Sequence, residues 1–302
     1  MPLSVTIRRR IDISYKGGFQ QMIKKFKTRR YGLLTLGCLL LLMTGCSSKN
    51  EGSTSGKAET TSKVGGSSSE TANSDQHNVG DIITFGKYEQ DNNTDNGKED
   101  IEWIVLDKKS DGQLVLISKY VLDCQPYNTE YTEVTWETCS LRKWLNGTFM
   151  DTAFSEEEKA KIQSTTITNE DSPMSGTDGG NDTTDKVYLL SYSEASNLFG
   201  EDTTINVQTY FNPSRACKPT PYAISQKCYV GKDDDTDYEQ LREFTGYCCY
   251  WLRTVGDEKH AQIVNYYGSL GYQGHVDVSG GSYINDTEDD GYGVRPVIVI
   301  NP

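Results

Sequence analysis

A short apolar run at residues 33–43 determines which part of this 302-residue chain can form a folded domain. Lysines and arginines precede the run, and Thr44, Gly45 and Cys46 follow it. A basic segment, a short apolar segment and small residues at a cleavage point are the parts of a secretory signal. We therefore predict a bacterial lipoprotein signal over residues 1–45, with a lipid on the thiol of Cys46. A retained membrane anchor is the weaker alternative, because a membrane-spanning helix needs about 20 apolar residues.

This signal also predicts where the protein starts and where it works. Residues 1–21 contain nothing that a signal needs, and Met22-Ile-Lys-Lys-Phe-Lys is a typical beginning, so we expect translation to start at Met22. After cleavage the chain would stand on the extracytoplasmic face of the cell membrane, held there by its lipid.

Composition divides the rest of the chain at residue 79. Residues 46–78 are mainly Ser, Thr, Gly, Lys, Glu and Asn. Such a segment cannot bury enough apolar surface to offset the entropy of ordering the chain. We predict an acylated, disordered linker over residues 46–78 and one globular domain over residues 79–302, a length that suits a single core.

The net charge restricts the partners. Residues 1–45 hold nine of the 30 basic residues and one of the 43 acidic residues, so their removal lowers the net charge from −13 to −21. Binding to nucleic acid needs lysines and arginines to displace counterions, and anionic lipid head groups repel an acidic surface. We predict no nucleic-acid partner and no membrane contact apart from the lipid.

Six of the eight cysteines lie in the predicted domain, and an even number permits disulfides in an exported protein. Cys124 with Cys139, and Cys217 with Cys228, would each close a short loop. Free buried thiols are an equal alternative. The chain has no Cys-x-x-Cys pair and only three histidines, so a structural zinc site is not expected.

Short β-type runs dominate the domain, with a few helix signals between them. Residues 101–106 and 114–118 flank Asp111-Gly112, which predicts a hairpin. Residues 140–146 are typical of a short helix ended by Gly147, and Ser155-Glu-Glu-Glu is a capping box that opens another helix. Further strands are predicted at residues 82–88, 186–191, 250–254, 261–265 and 294–300. We predict an α+β fold with a twisted, mostly antiparallel sheet and short helices.

One acidic loop has the spacing of a calcium site. Asp91, Asn93 and Asp95 alternate, so that their oxygens can face one ion, but Gly97 is one place later than in a calcium loop. The alternatives are a bound calcium ion and a polar hairpin loop. We expect no other cofactor.

Tyrosines crowd the last third of the chain. Tyr266, Tyr267, Tyr272 and Tyr283 stand in a segment rich in Gly, Asn and Asp. Tyrosine combines apolar area with a hydrogen-bonding hydroxyl and is favoured at recognition surfaces. These residues are therefore the candidate ligand-binding set, and packing in the core is the alternative.

Catalytic motifs are weak in this sequence. A catalytic cysteine needs a base that produces the thiolate, and the predicted domain offers only His260 and His275. No local motif supports a dyad of either histidine with Cys249. A Gly-x-Ser-x-Gly nucleophile elbow is also absent.

Several segments of residues 79–302 are too particular to be generic. Examples are Phe85-Gly-Lys-Tyr-Glu, Thr135-Trp-Glu-Thr-Cys-Ser-Leu-Arg-Lys-Trp-Leu-Asn, Asp185-Lys-Val-Tyr-Leu-Leu-Ser, Tyr250-Trp-Leu-Arg and Gly293-Val-Arg-Pro-Val. On these segments the chain resembles the uncharacterised bacterial family called domain of unknown function 6273. This resemblance implies no particular activity.

A second resemblance concerns only the C-terminal part. Trp251-Leu-Arg, Gly268-Ser-Leu and Gly293-Val-Arg-Pro follow the order of motifs in the C-type-lectin-like fold. The calcium motifs of lectins are missing, so calcium-dependent sugar binding is not implied.

Together these features predict a membrane-anchored, extracytoplasmic lipoprotein whose domain recognises an extracellular glycan, peptide or protein. One alternative is an extracytoplasmic enzyme, either cysteine-dependent or hydrolytic. The other is a structural protein of the cell envelope.

Overall fold

The computed structural model describes residues 77–207, 209–276 and 291–302, all of which belong to one structural unit. The predicted signal, Cys46 and the predicted linker up to residue 76 lie outside the described residues, as does Tyr283. Within the described part of the chain, no helix combines the length and apolar character needed to cross a membrane.

The described elements are mostly strands, with short helices between them. The strands are β1 (Ile82–Tyr88), β2 (Glu99–Lys108), β3 (Leu114–Ser118), β4 (Asp123–Cys124), β5 (Thr165–Ile167), β6 (Thr183–Asp185), β7 (Val187–Tyr188), β8 (Thr203–Thr204), β9 (Tyr210–Phe211), β10 (Tyr250–Val255), β11 (His260–Val264), β12 (Tyr272–His275), β13 (Gly293–Val294) and β14 (Val297–Ile300). The helices are α1 (Ser140–Trp144), a π-helical turn (Leu145–Phe149), α2 (Met150–Ala153), α3 (Glu156–Lys161), α4 (Tyr192–Leu198), α5 (Pro221–Ser225) and α6 (Glu239–Arg242). The fold is α+β, as predicted.

The first sheet has five antiparallel strands in the order β1-β2-β3-β14-β7. Burial alternates along β2, where Ile101, Trp103 and Val105 are fully buried. The predicted hairpin is confirmed, because β2 pairs with β3 and Gly112 has a φ of +88°, which glycine adopts without strain. All of β14 is buried, so this apolar run lies inside the sheet, as predicted.

The second sheet has the order β12-β11-β10-β13-β4, with β10 and β13 parallel and the other pairs antiparallel. The single strand predicted over residues 294–300 is wrong, because β13 belongs to the second sheet and β14 to the first. The break falls at Arg295-Pro296, where proline has no N–H for a strand ladder. The described residues thus contain two five-stranded sheets and two separate hairpins, β5–β6 and β8–β9.

The side chain of Arg295 stabilises the point where the chain passes from β13 in the second sheet to β14 in the first. Only 3% of this residue is exposed. Its Nε donates to the Ser118 carbonyl at 3.0 Å, and its Nη1 donates to the Arg215 carbonyl at 3.3 Å and to the Tyr250 hydroxyl at 3.2 Å. Ser118 ends β3 in the first sheet and Tyr250 begins β10 in the second, so one guanidinium group is bonded to both sheets.

The helix starts follow the predicted capping rule. Ser155 caps α3 with Glu158 as its partner, and Ser191 caps α4 with Glu194 in the same reciprocal arrangement. The helix end predicted at Gly147 is wrong, because the chain continues from α1 through the π-helical turn into α2. Gly147 has no positive φ, so it lacks the left-handed conformation of a glycine that ends a helix.

We expect Arg295→Ala to lower the free energy of unfolding by about 3 kcal/mol or more, because it removes the donors of three buried acceptors. Arg242→Ala is the matched control. Arg242 is exposed on α6, and its loss should change the stability by less than about 0.5 kcal/mol. Urea unfolding followed by tryptophan fluorescence measures both variants. Equal transition midpoints for the two would contradict the role assigned to Arg295.

Candidate functional site

One buried carboxylate, that of Asp185, joins the segment 135–146 to the β5–β6 hairpin. It accepts hydrogen bonds from Trp136 Nε1 at 3.0 Å, from Arg142 Nε at 2.7 Å and from Thr183 Oγ1 at 2.8 Å. The Asp185 side chain is 1% exposed. A buried carboxylate with a cation and two further donors is well compensated, so this cluster is part of the scaffold.

Asn146 continues the same connection. It lies in the π-helical turn and accepts from Lys186 N at 2.9 Å and Val187 N at 3.1 Å, and it donates to the Val187 carbonyl at 2.8 Å. Because β7 is an edge strand of the first sheet, the amide satisfies backbone groups that would otherwise lack a neighbouring strand. The motif residues of this segment therefore hold the fold together.

A cleft of about 360 Å³ opens beside these residues and is lined by Arg142, Lys143 and Lys186, among others. Three cations would suit an anion. However, Arg142 is bonded to Asp185, and Lys186 Nζ donates to the Lys159 carbonyl at 3.0 Å. With two of its three cations already bonded within the scaffold, we assign this cleft no ligand.

The described tyrosines of the candidate set pack against one another. Tyr266 is 2% exposed and Tyr267 is 7% exposed. The hydroxyl groups of Tyr267 and Tyr272 are 2.6 Å apart. A Cβ atom on Gly231 would come within 2.3 Å of the Tyr266 ring, so this glycine is needed for the close packing. Ligand recognition by these tyrosines stays a prediction, but the rings of Tyr266 and Tyr267 are buried.

The acidic loop forms a series of local turns between β1 and β2. Asp91 Oδ1 accepts from Asn93 N at 2.8 Å, and Asn93 Oδ1 accepts from Asp95 N at 3.3 Å. The Asn96 amide donates to Asp91 and holds the pKa of that carboxyl below its usual value. These oxygens already accept hydrogen bonds within the loop. Calcium binding by Asp91, Asn93 and Asp95 stays a prediction.

A different acidic trio could hold a cation in this loop. Ligand oxygens of Glu89, Asp91 and Glu99 lie within 4.8 Å of one another, and in the described ranges no other three acidic, histidine or cysteine residues do so. Glu99 Oε2 accepts from Gln90 N at 2.7 Å, and Glu89 Oε1 accepts from Asn93 N at 2.9 Å. The trio thus also serves as acceptors for the loop backbone.

Cys139, Cys217, Cys228, Cys248 and Cys249 are buried thiols in the structure. Cys139 caps α1, accepting from Arg142 N at 3.5 Å, and Cys217 donates to the Lys119 carbonyl at 3.4 Å. The close pair is Cys228 and Cys248, whose sulfur atoms are 2.8 Å apart. These contacts give no support to the predicted pairings of Cys124 with Cys139 and of Cys217 with Cys228.

The thiols are poorly placed for nucleophilic catalysis. Cys249 is 2% exposed, and burial raises the pKa of its thiol. Burial also raises the pKa of Cys139 to about 12 and raises that of Cys217. A raised pKa disfavours the reactive thiolate. No described contact therefore favours the cysteine-dependent enzyme.

A partly exposed group of rings lies at the open end of the β11–β12 hairpin. His260 and His275 face each other on these strands, with ring centroids 4.4 Å apart. The Tyr131 ring stacks on His275 at 5.1 Å, and Lys259 Nζ is 4.8 Å from the centroid of Tyr131. His260 Nδ1 is 2.6 Å from Asp257 Oδ1. These five residues are named the histidine–tyrosine patch, and Tyr131 is 43% exposed.

Two backbone segments place this patch. The turn at residues 257–260 is closed by a 2.8 Å hydrogen bond between its ends and contains Glu258 with a φ of +34°. Asn128 N donates to the Val276 carbonyl at 2.7 Å, which holds the loop that carries Tyr131 beside the end of β12. No local motif in the sequence indicates this patch. A hairpin predicted over residues 260–275 would have brought His260 and His275 together. Tyr131 could not have been placed beside them, because it comes from a distant segment.

The chain belongs to the family described as Domain of unknown function (DUF6273), whose model matches residues 111–302. The match includes Asp185, Arg295 and the whole histidine–tyrosine patch. No curated protein and no solved structure matches the chain. The family is thus established, and the lectin-like resemblance stays a prediction.

We expect Asp185→Asn to destabilise the domain by about 3 kcal/mol, because the amide leaves the Arg142 cation without its partner and cannot accept every bond that the carboxylate accepts. Asp182→Asn, at an exposed position beside the same hairpin, is the control and should be near neutral. Thermal unfolding followed by circular dichroism compares the two. A similar melting temperature for both would show that the buried carboxylate is dispensable.

Proposed function

We propose that this protein is a membrane-anchored, extracytoplasmic lipoprotein whose domain recognises a glycan through the histidine–tyrosine patch. The observation that carries the proposal is the exposed Tyr131 ring, supported by His275 and Lys259. A large aromatic ring held in place before binding loses little conformational entropy when a ligand packs on it.

The chemistry of the patch favours a glycan over a purely apolar ligand. The C–H face of a sugar ring can pack on the phenol ring of Tyr131. The imidazoles of His260 and His275 and the ammonium group of Lys259 offer donors and acceptors for hydroxyl or carboxylate groups at the edge of that ring.

The lipid anchor would keep this domain at the cell envelope. The support comes from the basic segment, the short apolar run and Cys46. The polar composition of residues 46–78 predicts a linker between this anchor and the domain, and an unfolded segment of that length spans about 30 Å. The patch could therefore reach ligands that lie beyond the lipid head groups.

The recognition proposal is tested on a glycan array with the full-length protein in detergent. We expect Tyr131→Ala to weaken retention by about tenfold or more, which corresponds to roughly 1.4 kcal/mol. Tyr131→Phe keeps the ring and should retain the glycan. Tyr238→Ala is the matched control, because Tyr238 is 39% exposed and contacts Asn206 instead of the patch. Equal retention by Tyr131→Ala, or no retention of the unaltered protein, would refute the proposal.

The anchor proposal is tested by mass spectrometry of the protein from bacterial membranes. We expect the N-terminal peptide to begin at Cys46 and to carry acyl chains, because the thiol is the attachment point. Cys46→Ala should lose the acyl mass and stay uncleaved. An unacylated chain in the cytosolic fraction would contradict the predicted location.

A further inference from the structure

Two buried cysteines lie side by side where the chain before β10 pairs with an earlier segment. The sulfur atoms of Cys228 and Cys248 are 2.8 Å apart, closer than two non-bonded sulfur atoms normally approach. Cys228 is 4% exposed and Cys248 is 0% exposed. The antiparallel bridge between Val230 and Cys248 makes Cys228 a diagonal neighbour of Cys248. Diagonal neighbours share a face, so both thiols point into the same space.

We infer that Cys228 and Cys248 form a disulfide bond in the exported protein. This inference rests on the proposed location, because disulfides persist in oxidising compartments. Two S–H bonds break and one S–S bond forms. The two protons and two electrons pass to the disulfide of a thiol oxidoreductase, which becomes a dithiol.

Two of the other thiols make hydrogen bonds of their own. Cys139 is engaged as the cap of α1, and Cys217 donates to a backbone carbonyl. A Cβ on Gly293 would come within 3.0 Å of Cys248 Sγ, so the backbone of β13 confines this sulfur on one side. The bond would tie residues 228 and 248 together around the acidic run 233–237 and helix α6.

Burial of the two thiols determines at which stage of folding the disulfide can form. Burial, followed by the contact with Cys228, raises the pKa of the Cys248 thiol well above its usual value. Thiol–disulfide exchange needs a thiolate and access to it, so the bond would form during folding and then resist reductants. We expect dithiothreitol to leave the folded protein unchanged and to reduce the bond once urea is present.

Trypsin gives a direct test, because its cleavage sites separate the cysteines. Protein extracted from membranes is alkylated, digested without reduction and analysed by mass spectrometry. We expect peptide 228–232 to be linked to peptide 243–253, which contains Cys248 and Cys249. Cys249→Ser should keep this link, and Cys248→Ser should lose it.

Other pairings would give different products. A bond between Cys124 and Cys139 makes peptide 120–142 lighter by two hydrogen atoms, and a bond between Cys217 and Cys228 links peptide 216–227 to peptide 228–232. Either product in place of the expected one would overturn the inference.

A second preparation separates this inference from the proposed location. The same full-length protein is reduced in urea and refolded in detergent with a glutathione redox buffer. A link between 228 and 248 only after refolding supports the pairing and contradicts the export of the protein. The link in membrane-extracted protein supports both, and its absence from both preparations overturns the pairing. The linked form should melt roughly 5–10 °C above the reduced form.

Discussion

A buried guanidinium group needs an acceptor for each of its donors, and this need connects the two sheets of the domain. Arg295 Nε donates to the Ser118 carbonyl of the first sheet, and its Nη1 donates to the Tyr250 hydroxyl of the second sheet and to the Arg215 carbonyl outside both sheets. None of these three partners is a carboxylate. Its positive charge lies 5.4 Å from the Tyr250 ring and 5.7 Å from the Phe199 ring, and the negative faces of these rings offset part of the cost of burying a cation. Removing this one side chain would leave polar atoms of both sheets unsatisfied, so the packing of the sheets depends on it.

Two further buried arginines also donate to backbone carbonyls in the core, and each of them pairs with a carboxylate in addition. Arg253 on β10 donates to the Leu189 carbonyl at 2.8 Å and pairs with Glu194, so that it links the second sheet to the first turn of α4. Arg215 donates to the Gly268 carbonyl at 2.7 Å and pairs with Asp202. The Tyr-Trp-Leu-Arg and Gly-Val-Arg-Pro segments, which the sequence-based resemblance rests on, thus contain arginines that serve the fold. A family motif of this kind is evidence of architecture and leaves the activity open.

Local chemistry explains which features the sequence could predict. The Asp111-Gly112 hairpin and the capping box at Ser155 depend on residues a few positions apart, and both are present as predicted. Features that depend on distant partners were missed. The apolar run at residues 294–300 has the composition of one strand, but the bonds of Arg295 and the proline after it divide the run between two sheets. Tyr266 is of a residue type that is favoured at recognition surfaces, yet its ring fills the space beside Gly231.

The histidine–tyrosine patch lies at an edge of the second sheet, away from the buried arginines that hold the core. β12 is an edge strand of the second sheet, and His275 is its last residue. The arginines that hold the core donate to backbone carbonyls and to side chains away from this edge, so a change in the patch leaves their acceptors intact. Tyr131 is held by contacts with His275 and Lys259, and its loop is anchored through Asn128 to the end of β12. The core holds the Tyr131 ring in place before any ligand binds, and the residues of the patch can change without disturbing the core. Recognition of an external ligand benefits from both properties.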